Sequence, residues 1–226
     1  MKELQILQKK RELNLEKALK RKVEEGLIQF GLPFSNEAAD KCCKHLFLLK
    51  RWSRAFNLSG IKDLNEMVVK HVLDSVSVVP FLKGEKIIDV GSGAGFPGIP
   101  IAILLPNISF FLLDSNGKKV RFLTEIKSQL QLNNVTIVND RLEKHVPVSP
   151  YDMVVCRAFS SLEKIVLNCS RLVASNGSVL AMKAAISKQE LTAAREVSPG
   201  LKIHKLEIPC LKLPRHLVEL QPVLTI

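Results

Sequence analysis

The 226-residue sequence lacks paired cysteines and long apolar runs and is short of acidic residues, and each absence excludes something. Its five cysteines (Cys42, Cys43, Cys156, Cys169, Cys210) are odd in number, scattered and without CxxC spacing. That argues against a disulfide framework and against a zinc site, so no metal is expected and reduced thiols are the default. The adjacent Cys42 and Cys43 read as helix-packing residues rather than a redox pair. Long apolar runs are also missing: the longest, Ile99 to Leu105, is broken by Pro100 and stopped by Pro106. A bilayer span needs ~20 apolar residues, so no membrane association is expected. The opening MKELQILQKKREL is charged and lacks the apolar core of a secretory signal, which predicts a cytoplasmic protein. Acidic residues number 22 against 33 Lys and Arg, a formal net charge of +11. Such an excess points to a polyanion, most often nucleic acid, with a solvated basic surface as the competing reading.

What is present is a core-forming chain. Apolar residues make up 46% of it, enough for one full domain with a small extra piece. Residues 1–25 are polar and helix-prone, with a partial apolar stripe at Leu4, Leu7, Leu13, Leu15 and Leu19. After Gly31-Leu32-Pro33, the spacing of Cys42, Leu46, Leu49 and Phe56 predicts a helix over 38–56, with Trp52 and Phe56 in the core. Asp63, three residues before Glu66, has the form of a capping box. It would start a helix carrying Val68, Val72, Val76 and Val79 on one face. Residues 1–82 therefore read as a helical cap, part of the same compact unit as residues 83–226.

From Lys86 onward strands and helices alternate. Strands are predicted at 86–90, 109–113, 135–138, 152–156 and 178–183, with helices around 120–130 and 162–172. Two further extended segments, 201–208 and 216–223, come without an intervening helix long enough to keep the parallel order. The expected fold is α/β: a mostly parallel sheet with a C-terminal antiparallel pair and an N-terminal helical cap.

The stretch KIIDVGSGAGFPGIP (Lys86 to Pro100) joins a buried strand to a glycine turn and a helix. A dinucleotide fingerprint, GxGxxG, fails because Phe96 stands where its third glycine belongs. Asp89-x-Gly91-x-Gly93-x-Gly95 instead resembles motif I of the Rossmann-like class I S-adenosylmethionine (SAM) methyltransferases. SAM has no pyrophosphate to cradle, but its amino-acid tail carries an ammonium that suits a nearby carboxylate. Asp114, ending the second strand, is placed for ribose hydroxyls, with a helix N-cap as its alternative role. Arg141-Leu142-Glu143 comes after the third strand, where an adenine ring would sit; a surface salt bridge is the alternative there. Arg157 ends the fourth strand and would face the methyl group. The chain has CRAFS at that point, not the Asn/Asp-Pro-Pro-aromatic box of exocyclic amino-methyltransferases. The Pro-Cys nucleophile of cytosine-C5 enzymes is also missing there.

The blocks RWSRAFNLSGI, EMVVKHVLDSVSVVPFL, KIIDVGSGAGFPGIPIAI, LLDSNGKKVRFL, DMVVCRAF and RHLVEL resemble the bacterial small-subunit ribosomal RNA guanine-N7 methyltransferases, also called glucose-inhibited division protein B. They run in the family's order from about Leu48 to the C-terminus. The resemblance implies an enzyme that moves the SAM methyl group to N7 of a guanosine in a loop of 16S rRNA; a monomer is expected. Its substrate would be the RNA or the small (30S) particle. It implies SAM contacts at Gly91, Phe96, Leu142, Glu143 and Arg157, joined by Asp114, Asp89, Gly93 and Gly95. Arg157 is the candidate for orienting cofactor or base. Asn57, His71, Lys118, Lys119 and Arg121 are implied on the RNA side, with Asp74 nearby. The family often has Lys-Gly where this chain has Lys183-Ala184. The alternatives are a SAM enzyme acting on a protein or small molecule, and a non-enzymatic RNA-binding assembly protein.

Overall fold

The structure, a computed structural model, describes residues 2–157 and 160–222, with side chains from residue 9 onward. Leu4 and Leu7 of the N-terminal stripe, Ala158 and Phe159 of DMVVCRAF, and Val223 fall outside these. Helix α1 (Lys2–Gln29) buries Leu19, Val23 and Leu27, one residue per turn. Leu13 and Leu15, counted in the stripe from sequence, are exposed. Helix α2 (Asn36–Phe56) starts at Ser35, whose hydroxyl accepts from the Ala38 N–H at 3.1 Å. Its buried face is Cys42, Cys43, Leu46 and Leu49, so both cysteines are packing residues. Burial drives the Cys43 thiol up to about 12, out of thiolate chemistry. Phe56, expected in the core, is the last residue of the helix and is 41% exposed, with its ring 5.4 Å from that of Trp52; Trp52 packs on Phe122 with centroids 5.5 Å apart.

The N-cap half of the box forms, with Asp63 Oδ1 accepting from Glu66 N–H at 2.9 Å, while the Glu66 carboxylate accepts from Lys70 at 2.9 Å. The segment it starts is not the regular helix that the valine spacing suggests. A short α3 (Leu64–Met67) widens into a π-helical turn at Val68–Leu73, then α4 (Asp74–Val76) and a 3₁₀ turn at Val79–Phe81. Val79 is only partly buried, and Val69, Leu73 and Val78 take up core positions instead. Wide turns of this kind recur at functional sites. Here the turn carries Lys70 and His71 and leads into Asp74.

The sheet comprises β1 (Lys86–Val90), β2 (Ser109–Leu113), β3 (Val135–Val138), β4 (Tyr151–Arg157), β5 (Val173–Lys183), β6 (Lys202–Leu206) and β7 (Arg215–Leu220). Their order is β3-β2-β1-β4-β5-β7-β6. The first five are parallel and β7 is antiparallel to both of its neighbours, so the expected C-terminal antiparallel pair is β6 with β7. A helix absent from the sequence reading, α8 (Lys188–Val197), returns the chain so that β6 points the same way as β5. β5 starts five residues before the strand expected at 178–183 and runs through Asn176-Gly177, with the irregular pairing lying between Tyr151 and Met153.

Alternate residues of each strand face opposite sides. Ile87, Phe110, Leu112 and Val155 pack beneath α5 (Gly98–Leu104), α6 (Gly117–Leu130) and the N-terminal helices. Ile88, Val90, Val154 and Cys156 pack against α7 (Leu162–Cys169) on the opposite face, which also takes Ala194 of α8. Strand order reverses between β1 and β4, and a ligand crevice opens at the carboxyl ends of strands at such a point.

Candidate functional site

The turn after β1 is built by its own hydrogen bonds. Gly91, Gly93 and Gly95 have φ of 71°, 58° and 88°, the left-handed region that only glycine enters cheaply. Gly91 and Ser92 N–H donate to Leu113 O at 2.8 and 3.1 Å. Gly95 and Phe96 N–H donate to Ser92 O at 2.8 and 3.0 Å. Gly93 N–H donates to Asp114 Oδ2, and Gly98 N–H to Asp89 Oδ2, both at 2.9 Å. With these donors already consumed, the turn offers no cradle for a pyrophosphate, in agreement with the failed dinucleotide fingerprint.

Asp89 is fully buried beneath the turn, where it braces the start of α5. Burial pushes its carboxyl up to about 7, against the Gly98 and Ser92 hydrogen bonds. Its Oδ1 has no hydrogen-bond partner. Asp114 holds Gly93 N–H with one oxygen and Asn116 N–H with the other at 2.8 Å. Asn116, not Asp114, is the N-cap of α6.

Gly91, Asp114, Leu142, Glu143 and Arg157 converge on one cavity of about 540 Å³, joined by Lys119. Leu142 is held there by Arg171, which donates to the carbonyls of Leu142 and His145. Gly93 and Gly95 shape the turn beside the cavity. Asp89 and Phe96 are not among its lining residues. The Phe96 ring is sandwiched between two imidazoles of the N-terminal helices, His45 at 4.6 Å and His71 at 4.5 Å between centroids, both near-parallel. This stack ties the turn to α2 and to the π-helical turn.

His45 Nε2 is 2.9 Å from Ala94 O, which can only accept, so Nε2 carries the proton. His71 Nδ1 faces the Arg157 guanidinium at 3.5 Å, so its proton sits on Nε2 and goes to Ser59 Oγ at 2.9 Å. Burial holds His45 down to about 4; burial, then Arg157 and His45, hold His71 down to about 3. Both rings are neutral at pH 7, so His71 offers no cation to an RNA phosphate.

The unfolded chain, with a histidine pKa of 6.5, takes up these two protons before the folded one. Stability is therefore full above about pH 6.5 and falls as the pH drops toward 4 and 3. Asp89 works in the opposite sense, since its raised pKa removes stability as the pH rises from 3.8 through about 7. The two imidazoles outweigh the one carboxyl, so the urea midpoint is expected to fall between pH 7 and pH 5. Asp89→Asn keeps an acceptor for Gly98 and should make that fall steeper. A midpoint that rises on acidification contradicts buried neutral imidazoles.

Arg157 leaves the end of β4 and is fixed on several sides. Nη1 donates to Asp74 Oδ2 at 3.0 Å and to Lys70 O at 3.1 Å, a carbonyl of the π-helical turn. Its Cζ lies 5.3 Å from the Phe96 ring centre. Asp74 Oδ1 accepts from Arg215 Nε at 2.9 Å, so one buried carboxylate holds two arginines from β4 and β7. On the far side of Arg157 lies a second hollow of about 440 Å³, lined by Ile61, His71, Asp74, Lys183 and Arg215. Arg157 lines both cavities. Lys183 pairs with Glu190 at 2.7 Å and donates to Ser160 O, which fixes the strand end despite the following alanine.

The other residues expected on the RNA side are dispersed. Lys119 lies 3.7 Å from Asp114 at the first cavity. Lys118 and Arg121 are exposed on α6 and line neither cavity. Asn57, at φ 49°, closes α2 and faces a separate hollow. Sequence reasoning missed His45, Arg215 and Arg171. A lone histidine among the apolar residues of α2 was a weak signal for the first, and RHLVEL contained the second. Nothing local marked Arg171.

Among the described residues no group of three or more His, Cys, Asp or Glu is arranged to hold a metal, and no helix is long and apolar enough to cross a membrane. Similar solved structures include a ribosomal protein L11 methylase from Lactobacillus delbrueckii subsp. bulgaricus (TM-score 0.52, 16% identity, 66% of this chain and 77% of that one). A TehB-like SAM-dependent methyltransferase from Corynebacterium glutamicum also matches (TM-score 0.51, 12% identity, 79% and 98%). They show the fold, a Rossmann-like methyltransferase. Sequence relatives go further. A protein named ribosomal RNA small subunit methyltransferase G from Klebsiella pneumoniae subsp. pneumoniae is 40% identical over 201 residues, 89% of this chain and 97% of its own. Its namesake from Coxiella burnetii is 40% identical over 200 residues, 88% and 97%. The family model for rRNA small subunit methyltransferase G (GidB) matches residues 39–218. The chain belongs to that family.

Proposed function

We propose that this protein transfers the methyl group of SAM to N7 of a guanosine in a loop of small-subunit (16S) rRNA. The observation that carries the reading is the pair of cavities separated by one clamped arginine. The 540 Å³ cavity fits the cofactor in size and in donor set. Asp114 retains lone pairs for ribose hydroxyls, Leu142 supplies an apolar wall, and Glu143 adds an acceptor beside them. When bound, SAM supplies an electrophilic methyl carbon. Guanine N7 has a free lone pair and needs no deprotonation. That suits a site whose nearest imidazole, His71, is neutral, half-buried and already hydrogen-bonded to Ser59. The chain's task is then to orient and to exclude water, which Arg157, held by Asp74, Lys70 and Phe96, is placed to do at the wall between the cavities.

N7 lies on the major-groove edge, which duplex RNA conceals, so the target base must be unstacked or flipped into the 440 Å³ hollow. On this reading residues 1–82 cap residues 83–226 and help form the acceptor side. Lys118, Lys119 and Arg121 approach RNA phosphates, and the enzyme works as a cytoplasmic monomer on the assembled or partly assembled small subunit. The test is tritiated-methyl transfer from SAM to 30S subunits from a strain lacking the gene. Label in the 16S RNA is expected; label only in protein, or none, overturns the reading.

A further inference from the structure

Beside the acceptor hollow lies a third depression, of about 580 Å³, where α2 runs into the loop after it. Lys50 and Arg54 of α2 and Lys62 of the loop line it, and no acidic residue does. Among the described residues none of the three forms an ion pair or donates a hydrogen bond. Lys50 and Arg54 stand four apart on one helix, a like-charge spacing that disfavours the helix. A cation in the last turn is explained by the helix dipole, which accounts for Arg54 alone. Lys50 lies a turn earlier and Lys62 outside the helix. On the same wall Ser53 Oγ has no hydrogen-bond partner.

The position of this depression gives the charge a meaning. Ile61 lines both it and the acceptor hollow. Ser59, on its wall, holds His71, which lines the acceptor hollow. Lys50 and Arg54 also line the larger groove between α1, α2 and the end of α6, about 1,010 Å³, where Glu12, Glu16, Glu37 and Asp40 stand among Lys41, Lys44 and Arg51, so Lys62 is the cation that lines the smaller depression and not this groove.

We propose that the hollow ringed by Lys50, Arg54 and Lys62 binds the phosphodiester backbone of the RNA next to the target nucleotide. Three convergent cations without an ion pair among the described residues make a favourable seat for backbone phosphates, and Asn57 supplies neutral hydrogen bonds beside them. The backbone then enters over Ile61 while the base turns toward Arg157. This rests on the RNA reading above and assigns that reading a phosphate subsite.

The test uses the full-length chain with Lys50→Gln, Arg54→Gln and Lys62→Gln combined, and 30S subunits from a strain lacking the gene as the probe. A second triple variant, Lys188→Gln, Arg195→Gln and Lys202→Gln on α8 and β6, removes the same charge elsewhere. In the first variant KM for subunits should rise about tenfold with kcat unchanged. The slope of log affinity against log salt should fall by about 2, at roughly 0.7 per lost contact to single-stranded RNA. The SAM Kd measured by calorimetry should not change, which also shows that the variant is folded. The second triple should change KM less than twofold. An unchanged salt slope and KM in the first variant, or an equal loss in the second, overturns the subsite and leaves the RNA reading standing. Failure of the parent chain to methylate the subunits removes the RNA reading and the subsite together.

Discussion

A Gly93→Val variant is expected to fold and to bind SAM at least about 100-fold more weakly than the parent chain. Gly93 has φ 58°, and a Cβ built there meets nothing closer than Gly91 O at 3.8 Å. The side chain therefore has room, and the cost is in the backbone. A left-handed conformation costs an L-residue about 1–2 kcal/mol, and a β-branched one is worse. The turn can relieve this only by rotating, which pulls the Gly93 N–H off Asp114, a bond to a charged group worth about 1.5–3 kcal/mol. Both changes displace the turn beside the 540 Å³ cavity and the Asp114 carboxylate that lines it. Gly98 behaves differently. A Cβ there lies 2.3 Å from Leu112 Cδ2 and 2.7 Å from Asp89 Oδ2, inside the core, so its substitution disturbs folding first. Calorimetry on Gly93→Val with its melting curve separates the two effects. Parental SAM affinity in a folded variant would place the cofactor elsewhere.

The second large effect is expected at the arginine clamp. Arg157→Ala should lower methyl transfer to small subunits by at least about 100-fold, the usual cost of removing an oriented charged donor from a reacting centre. Asp74→Asn preserves shape but leaves Arg157 and Arg215 facing a neutral amide in a site where the Asp74 side chain is 4% exposed. Breaking a buried pair in this way costs about 3–5 kcal/mol, so the melting temperature should drop as well. The informative readout is coupling. Asp74 acts on transfer by positioning Arg157, so adding Asp74→Asn to Arg157→Ala should lower kcat hardly further. Losses that multiply would show that the aspartate has a separate role.

The sequence was most informative where function is written in neighbouring residues. The strand at Lys86–Val90, the three glycines and the carboxylate of Asp114 are local signals: a buried run, positive φ and a strand end. Their placement around one cavity comes from parallel order alone. Phe96 shows the limit of that approach. Its position in the motif points at the cofactor, but its ring is claimed by His45 and His71, which lie 51 and 25 residues away in the chain. The valines after Met67 suggest a regular helix, and only tertiary packing reveals the π-helical turn whose Lys70 carbonyl receives Arg157. Helix α8 is polar, burying only Ala194 of its ten residues, so apolar periodicity passes over it. Its start was nonetheless written in Ser187 and Glu190, a capping pair whose serine accepts from Glu190 N–H at 3.0 Å. The clamp on Asp74 joins residues from β4 and β7, a pairing with no local trace.

The most direct test of the central claim is to map N7-methylguanosine in 16S rRNA by borohydride reduction and aniline cleavage, with and without the gene. One cleavage is expected, in a single-stranded loop, present in the parent strain and absent from the deletion. The gene should restore this cleavage on return, and Arg157→Ala should not. An identical cleavage pattern in the two strains would rule out N7 methylation of this RNA by the protein.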